Sequence, residues 1–445
     1  MVRALGDSTK RRRRAAQDAL RKAMAAYRNR DAARAAELFE QVLGDDPDCV
    51  DALYLLGTLR AEGGDLAAAE RLLERAGRLQ PDSPYIQTNL ANVFLMQGRS
   101  ERAAPALQRA LALKPDLVEA QINLGLLLRR FGRSEEAERH LRAACARRPD
   151  WPQIAVNLSL CLVDLDRRRE AVDLLRETLA RHPGFAPACE MLGLQLGHLG
   201  ESAEALHYLE RYLELAGPEA EAGEAGLMLA RLRGGALPER YPVAPLLANY
   251  ERKAANWDLD VERPGNEFLG PRHVRSWLQA HVPPPGALRI VDLGCGTGLS
   301  GPDLRPLASR LVGVDLSQHM LDRARDRQCY DELVRADLVE FLSSRPAAFD
   351  LAVASGVFIL IGDLAGLLAA LHEALGIDGR AVFTAYRAER ADIEVRHNLH
   401  FAHHPDYLQR AAAAAGFGVE SLADCVHEYE HGQPQPGLLV VLRRR

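Results

Sequence analysis

The chain has 445 residues, of which 47% are hydrophobic and 26% are charged, and its formal net charge is −5. This length exceeds what one hydrophobic core usually serves, so two or more globular domains are expected. The negative charge gives no general attraction to nucleic acid or to an anionic membrane surface. No apolar run of about 18 residues predicts a membrane helix, and the N-terminus has no apolar signal core.

The seven cysteines are scattered and form no Cys-x-x-Cys pair. Such cysteines are usually small buried residues in a reducing compartment, so a cytoplasmic location is expected. Residues 1–15 form a basic N-terminal segment in which Lys10 precedes four arginines. A solvated start of the first helix is favoured there over a nucleic-acid contact, because the whole chain is net negative.

Residues 16–217 carry a 34-residue period in six units. Prolines and two series of small residues recur at that interval. They are Pro47, Pro81, Pro115, Pro149 and Pro183; Ala35, Ala69, Ala103, Ala137, Ala171 and Ala205; and Ala23, Gly57, Ala91, Gly125, Ser159 and Gly193. Small residues let two helices cross closely, and proline stops the second helix before the next unit. The pattern resembles tetratricopeptide repeats, which implies an all-α solenoid with a concave groove lined by the first helix of each unit.

Asparagine occupies one equivalent position in three consecutive units, at Asn89, Asn123 and Asn157. An amide side chain can both donate to and accept from a peptide bond. This ladder is therefore a candidate peptide-binding site for an extended partner chain. The alternative is that asparagine is common at this position of the repeat consensus and contacts no peptide.

A capping helix and linker are expected at 218–244, where a stretch rich in Glu, Ala and Leu gives way to glycines and prolines. Residues 245–445 then alternate predicted strands with helical stretches, and the strands are 289–293, 311–315, 349–354 and 380–385. That alternation predicts an α/β domain with a mostly parallel sheet covered on both faces. Strands at 417–421 and 438–442 are expected to form a terminal antiparallel hairpin around a connection at 425–436.

The most informative segment is 289–298, where an apolar strand leads into Asp292 and then into three glycines. Glycines let a backbone turn come within contact distance of a cofactor, because side chains there would fill the space that the cofactor needs. The next strand ends at Asp315, and Asp337 follows the helix after it. Three acids at successive strand ends suit a nucleoside-bearing ligand that donates through hydroxyls and an exocyclic amine.

These segments, Asp-Leu-Gly-Cys-Gly-Thr-Gly, Val-Gly-Val-Asp-Leu-Ser and Ala-Asp-Leu, resemble the first three motifs of class I S-adenosylmethionine-dependent methyltransferases. The resemblance implies a Rossmann-like seven-stranded sheet and S-adenosylmethionine as cofactor. It also implies a glycine turn around the methionine part, Asp315 on the ribose, and Asp337 with Leu338 at the adenine. The residues expected to hold the donor are Tyr250, Asp292, Gly294, Cys295, Gly296, Thr297, Gly298, Asp315, Leu316, Met320, Asp337, Leu338 and Ser355. An NAD-binding fold stays an alternative, because 296–301 also fits the dinucleotide fingerprint.

Three further segments, 328–333, 401–407 and 434–439, resemble a bacterial subfamily of predicted methyltransferases that carry tetratricopeptide repeats. The segment 250–258 resembles a helix that closes over the donor in small-molecule members of the family, with Tyr250 and Trp257 on one face.

Methyl transfer mainly requires that donor and acceptor be held in line, and a base is needed only when the acceptor arrives protonated. His403 and Tyr386 are the candidate catalytic residues, and a structural histidine is the alternative for His403. No metal is expected, because no carboxylate or cysteine accompanies His400 and His403.

The leading hypothesis is a methyltransferase whose repeats recruit a protein or peptide, as acceptor or partner. One alternative is an interaction scaffold whose domain binds the donor without catalysis, since Ser355 stands near where many family members have an acid. Another is a small-molecule O- or C-methyltransferase whose repeats serve assembly. No Asn/Asp-Pro-Pro-aromatic motif is present. The absence of this motif argues against the usual exocyclic-amine chemistry, and the negative net charge and the lack of a long apolar run make neither nucleic acid nor a membrane an expected partner.

Overall fold

The computed structural model describes residues 17–217, 219–220, 223–235, 237–254, 257–261, 265, 267–282, 286–430 and 432–445. The predicted basic segment at 1–15 lies outside these residues. The chain divides into two compact units. One contains residues up to 129 together with 133–167, and the other contains 130–132 together with 168–445.

The first unit consists of paired helices. They are α1 (17–28), α2 (Ala32–Asp45), α3 (Val50–Glu62), α4 (Leu66–Leu79), α5 (Pro84–Met96), α6 (Ser100–Leu113), α7 (Val118–Arg130), α8 (Ser134–Arg147) and α9 (Pro152–Asp164). A Cβ added at Gly57 would lie 2.8 Å from the Leu73 side chain, and one at Gly125 would lie 2.8 Å from the Leu141 side chain. Small residues are therefore required where the two helices of a pair cross, which explains their recurrence. The predicted all-α repeat fold is confirmed.

The second unit contains a sheet whose strands are β1 (Leu288–Leu293), β2 (Ala308–Asp315), β3 (Glu332–Arg335), β4 (Phe349–Ala354), β5 (Leu375–Arg387), β6 (Ile393–Val395), β7 (Phe401–His403), β8 (Phe417–Glu430) and β9 (Gln433–Arg444). Strands β3, β2, β1, β4 and β5 lie side by side in that order and are parallel. Next to them β9 pairs antiparallel with β5, and β8 pairs antiparallel with β9. These seven strands confirm the predicted mostly parallel sheet with an antiparallel terminal hairpin.

Strands β6 and β7 form an additional antiparallel ribbon (393–403) that the sequence did not predict. Strand β7 pairs with Tyr386 and Arg387 at the end of β5. The last pair between β4 and β5 is Ala354 with Phe383. The ribbon therefore extends the sheet only at its carboxyl edge, where ligands of parallel sheets bind.

The terminal hairpin is longer than predicted. Strands β8 and β9 pair from Phe417 with Arg444 to Glu430 with Gln433, so most of the expected connection at 425–436 is strand. Pro434 is tolerated in β9 because the pairing with β5 extends no further than Gly437, which leaves an open edge beyond it.

Helices cover both faces of this sheet. Those that follow residue 240 are α14 (Val243–Lys253), α15 (Trp257–Asp260), α16 (Gly270–His281), α17 (Gly301–Leu304), α18 (Gln318–Asp326), α19 (Leu338–Ser343), α20 (Ala365–Ala374) and α21 (Pro405–Ala414). Val274 and Leu278 of α16 belong to a core with Ile290 and Val353, whereas α20 and α21 contribute to a second core. In the described part of the chain, no helix is long and apolar enough to cross a membrane.

The second unit also contains α10 (Arg168–Arg181), α11 (Ala186–His198), α12 (Ser202–Ala216) and α13 (Glu224–Arg233). Helix α13 lies within the segment 218–244, where a capping helix stays a prediction. Buried side chains of α11, α12 and α13 form one hydrophobic cluster with Leu399 and Phe401 of the ribbon. His198 Nδ1 lies 2.8 Å from the carbonyl oxygen of His397. Within this unit, the last helices of the repeats and the ribbon therefore share a core.

Candidate functional site

The turn after β1 is built on glycines with positive φ, which is 63° at Gly294 and 54° at Gly296. A Cβ at Gly294 would lie 2.1 Å from a methyl group of Val357, so only glycine fits there. A Cβ at Gly296 would meet no atom within 4 Å. The backbone at Gly296 therefore faces open space and can be approached closely by a ligand, as a nucleotide-type cofactor requires.

Asp315 ends β2 directly beside this turn and is only 7% exposed. Its Oδ2 accepts a hydrogen bond of 3.0 Å from the Gly296 N–H, and its Oδ1 accepts one of 2.8 Å from the Ser317 N–H. Burial raises the pKa of Asp315, while these backbone donors lower it. Burial and then the charge of Asp315 raise the pKa of Tyr250, which places the phenol near that carboxylate. Two lone pairs of Asp315 thus accept from the backbone, and a carboxylate has further lone pairs with which it can accept from a ligand.

Asp292, at the end of β1, is 2% exposed and accepts a hydrogen bond of 2.7 Å from the Tyr330 hydroxyl. Burial raises the pKa of Asp292 to about 7. Cys295 lies in the turn next to both acids, and burial followed by their charges raises the pKa of its thiol. The thiol therefore stays protonated and packs rather than reacts.

Asp337 caps the start of α19, where its Oδ1 accepts a hydrogen bond of 3.0 Å from the Val339 N–H. Its Oδ2 accepts one of 2.9 Å from Arg240, a linker residue. Leu338 packs against the core of the sheet. The proposed adenine-contacting acid is thus already paired with a guanidinium, which no sequence pattern indicated.

Leu316 and Met320 flank Ser317, whose hydroxyl caps α18 by accepting a bond of 3.4 Å from the Met320 N–H. Met320 is 2% exposed. The Ala336 N–H donates to the Asp315 carbonyl oxygen at 3.2 Å, which links the second and third acidic motifs through the backbone.

We call the segment 250–258, which was predicted to close over the donor, the lid. The spacing of Tyr250 and Trp257 predicted one helix there, but the structure has two, α14 and α15. The two aromatic rings nevertheless meet edge to face, with centroids 5.4 Å apart. Asp258 of α15 accepts hydrogen bonds from the Thr297 hydroxyl and from the Arg327 guanidinium. Arg327 also donates to the Thr297 carbonyl oxygen at 2.7 Å. The lid therefore contacts the glycine turn, and Asp258 makes this contact through its hydrogen bond with Thr297.

The two candidate catalytic residues differ in their surroundings. His403 is fully buried, and its Nε2 lies 3.0 Å from the carbonyl oxygens of both Ile361 and Gly362. Burial lowers the pKa of His403 to about 4. These contacts favour the structural alternative, because the ring proton is shared between two carbonyls. Tyr386 is also fully buried, and its hydroxyl donates to Glu428. Ser355 is half-buried at the end of β4.

The three asparagines of the ladder are half-buried; the amides of Asn89 and Asn123 contact neighbouring helices, whereas that of Asn157 contacts a residue of its own helix, α9. Asn89 Nδ2 donates to the Thr58 hydroxyl at 2.9 Å, and Asn123 Nδ2 donates to Asn92 Oδ1 at 2.5 Å. Gln153 Nε2 lies 3.5 Å from Asn157 Oδ1. Each amide thus spends part of its hydrogen-bonding capacity within the repeats, and the peptide-binding role stays a prediction.

Residues 291–381 match the family described as "Methyltransferase domain", and residues 26–93 and 88–152 match families described as "Tetratricopeptide repeat". The chain is a tetratricopeptide-repeat protein with a class I methyltransferase domain. The methyltransferase match indicates S-adenosylmethionine as the cofactor of this domain. The match and the antiparallel β8–β9 hairpin favour it over the dinucleotide alternative.

Two curated relatives and one solved structure are similar to part of this chain. The Bos taurus 18S rRNA (guanine-N(7))-methyltransferase is 38% identical over 69 residues, which are 16% of this chain and 25% of the relative. The trans-aconitate 2-methyltransferase of Paracidovorax citrulli is 36% identical over 104 residues, or 23% of this chain and 40% of the relative. The structure of an S-adenosylmethionine-dependent methyltransferase from Mesorhizobium loti is 27% identical, with a TM-score of 0.32, and covers 39% of this chain and all of that one. The chain thus spans less than half the length of these two curated relatives.

Several residues with specific contacts at this edge of the methyltransferase domain were not among the sequence candidates. Asp258 lies in the segment 250–258 and Tyr330 in the segment 328–333, and both segments resemble family motifs, so the sequence could have indicated these two residues. No sequence pattern indicated Arg240 or Glu428, because their partners, Asp337 and Tyr386, are distant in sequence and come close only in the folded chain.

Proposed function

We propose that this protein transfers a methyl group from S-adenosylmethionine to an acceptor, and that its repeats recruit a protein or peptide. The observation that carries the proposal is the position of Asp315. Its carboxylate is held by the N–H groups of Gly296 and Ser317 beside an open glycine turn. That arrangement suits a ligand with two adjacent hydroxyls, which a carboxylate can accept from.

The residues around the turn fit the donor. Asp315 would accept the ribose hydroxyls, the backbone of 294–298 would lie along the methionine part, and Asp337 with Leu338 would meet the adenine. Asp292 with its raised pKa, Cys295, Thr297, Leu316, Met320, Tyr250 and Ser355 would complete the site. When bound, the donor supplies a methyl group on a positively charged sulfur.

The chain's own contribution is to bind, to orient and to exclude water. Asp258 attaches α15 to Thr297 and Arg327, so the lid covers the turn from outside. The ring contact between Tyr250 and Trp257 joins α14 to α15. A lid held in this way would keep water from the reacting sulfonium.

Recruitment through the repeats is supported by the half-buried asparagines on the first helices of three units. Two other functions stay open as proposals, a donor-binding scaffold without catalysis and a small-molecule O- or C-methyltransferase. The names of relatives include an rRNA methyltransferase and a methyltransferase for a small carboxylic acid. A net charge of −5 does not favour nucleic acid as the acceptor.

Calorimetry with S-adenosylmethionine tests the proposal. The full chain is expected to bind the donor, and Asp315→Ala is expected to bind it about 100-fold more weakly, because two charge-assisted hydrogen bonds are lost. Asp322→Ala removes an exposed carboxylate of α18 that pairs with Arg325, so it is the matched control and should bind normally. Equal binding by both variants, or heat with NADH and none with the donor, would contradict the proposal.

A further inference from the structure

A cluster of polar side chains surrounds Tyr386 at the end of β5. Its hydroxyl donates to the Glu428 carboxylate and accepts a hydrogen bond of 3.3 Å from Asn398 Nδ2. The His427 ring lies 4.4 Å from the Tyr386 ring, and the Arg396 guanidinium lies 4.5 Å from the same ring centroid. We call these five residues the Tyr386 cluster. Asn398 and Arg396 come from the ribbon, and the other three come from β5 and β8.

The Tyr386 cluster borders the end of β4 through Phe268. A Cβ at Gly356 would lie 2.9 Å from the Phe268 ring tip, and the Phe268 and His427 rings are 5.2 Å apart. Phe268 also forms an antiparallel bridge with Glu428. The flanking residues make the hydrogen bonds, Leu269 N–H to His427 and Tyr429 N–H to Glu267. Phe268 and Glu428 are therefore a non-hydrogen-bonded pair, whose Cα atoms lie about 4.5 Å apart with side chains adjacent.

Two side chains at this place are buried without a partner. Both ring nitrogens of His427 and the Thr384 hydroxyl have no hydrogen-bond partner among the described residues, and both side chains are fully buried. Thr384 lies close to Phe268, because a Cβ at Gly270 would approach both, at 3.1 Å and 2.6 Å. Buried polar groups in native proteins normally have hydrogen-bond partners. The three unpaired atoms beside the Phe268 ring therefore point to a ligand that forms hydrogen bonds with them.

A β-bulge explains why consecutive residues of β8 both face Tyr386. The pairing of β8 with β9 shifts between Val426 and Glu428. Such bulges re-aim side chains next to functional sites. Here the bulge lets the His427 ring and the Glu428 carboxylate both reach Tyr386.

We propose that Glu428 is the general base for an aromatic hydroxyl acceptor bound between Phe268, His427 and Thr384, a proposal that rests on the proposed methyl transfer. Glu428 would take the acceptor's hydroxyl proton. The acceptor oxygen then forms its bond to the methyl carbon while the carbon–sulfur bond breaks, and the electron pair of that bond stays on sulfur. The products are the methyl ether, the neutral thioether and a protonated Glu428, so charge and atoms balance.

An aromatic hydroxyl fits better than an aliphatic one. Its ordinary pKa is about 10, as in tyrosine, so a carboxylate can take its proton in the transition state. Phe268 and His427 present ring faces and edges that can pack against another ring. Both a free phenol and a tyrosine side chain of a recruited peptide carry this group.

Burial and the neighbouring groups act on the pKa of Glu428 in opposite directions, and the net effect raises it. Burial raises the pKa of Glu428, the Tyr386 hydrogen bond lowers it, and the charge of Glu430 raises it. The Arg396 guanidinium and the His397 imidazole lower the pKa of Glu428. Tyr386 is a positioning residue, because it acts on the acceptor only through the Glu428 carboxylate, and Asn398 in turn donates to the Tyr386 hydroxyl. His427 has a pKa lowered to about 3 by burial and is neutral, so it can donate to or accept from the acceptor.

Methyl transfer to two probes, catechol and N-acetyltyrosinamide, tests the proposal with the full chain and S-adenosylmethionine. The wild-type protein is expected to form the methyl ether of at least one probe. Methylation of catechol indicates a free phenol as the acceptor, and methylation of the tyrosine derivative indicates a tyrosine side chain. Glu428→Gln should lower kcat about 100-fold and remove the fall of kcat/KM at low pH, with donor binding unchanged. Glu420→Gln, in a pair with Arg380 at the other end of β8, should behave as wild type.

Two further measurements keep the roles separate. Tyr386→Phe should lower kcat about tenfold and move the pH profile while leaving KM in place, since it removes only the hydroxyl that holds Glu428. Calorimetry of catechol with the S-adenosylhomocysteine-bound chain should show binding that Thr384→Val weakens. A protein that binds the donor but methylates neither probe, or a fully active Glu428→Gln, overturns the acceptor assignment and leaves the proposed function standing. Failure to bind the donor overturns the proposed function itself.

Discussion

Asp292 and Asp315 end neighbouring parallel strands, and they are 2% and 7% exposed. The sequence placed both acids at strand ends because each follows an apolar run. It could not show that Asp292 receives a hydroxyl hydrogen bond from Tyr330, 38 residues away, whereas Asp315 receives backbone donors. These contacts lower the pKa of each acid against the effect of burial, and they exist only in the fold.

The raised pKa of Asp292 has a consequence for stability. Its folded-state pKa of about 7 lies above the ordinary carboxyl value. Its stabilising contribution is therefore present at low pH and is lost as the pH rises through about 7. Asp292→Asn keeps an acceptor for Tyr330 and removes the charge. We expect its melting temperature to lie a few degrees above the wild-type value at pH 8, and the difference to shrink at pH 5.5.

Asp350→Asn is the matched control with the opposite sign. Hydrogen bonds from Arg289 lower the pKa of Asp350, so its stabilisation is present above the ordinary carboxyl pKa and is lost as the pH falls. That variant should therefore melt below the wild type at pH 8. If the melting temperatures of both variants shift in the same direction at pH 8, burial does not determine the pKa of Asp292.

At the scale of elements, the repeats were predictable because six units place the same residue types at the same positions. The lid was predicted as one helix because Tyr250 and Trp257 are seven residues apart, a spacing that fits one helical face. The structure has two helices there, and the contact of Asp258 with Thr297 and Arg327 holds the second one. A contact between residues so far apart in sequence cannot be predicted from the spacing of neighbouring aromatic residues.

The asparagine ladder makes a prediction about α7. Asn123 donates to Asn92 through its Nδ2, and its Oδ1 can accept from a peptide N–H. Asn123→Ala should therefore weaken capture of proteins by the full chain about fivefold, the effect of one hydrogen bond. Quantitative pull-down with mass spectrometry measures this, and donor binding by calorimetry should stay unchanged.

The control for the ladder is Gln41→Ala, which removes an exposed amide from α2, the second helix of its pair. It should leave capture unchanged. A captured set that is the same for Asn123→Ala, Gln41→Ala and the wild type would remove the asparagines from partner binding.

At the scale of the molecule, the second unit joins the end of the repeats to the edge of the catalytic sheet. Leu399 and Phe401 of the ribbon are buried with side chains of α11, α12 and α13. The ribbon also carries Arg396 and Asn398 of the Tyr386 cluster. The sequence could not indicate this, because the contact between His198 and His397 joins residues 199 positions apart. Unfolding of the last repeat helices and of the ribbon should therefore be coupled.

Phe401→Ala tests this coupling, because it removes a fully buried ring from the shared cluster. Such a truncation costs about 3–5 kcal/mol. We expect amides of α11 and α13 to exchange faster with deuterium in this variant, together with those of the ribbon. Phe417→Ala removes an equally buried ring from the sheet core that α20 and α21 cover, so it should speed exchange in those helices and spare α13. If both variants change α13 equally, the destabilisation is global and the ribbon has no special link to the repeats.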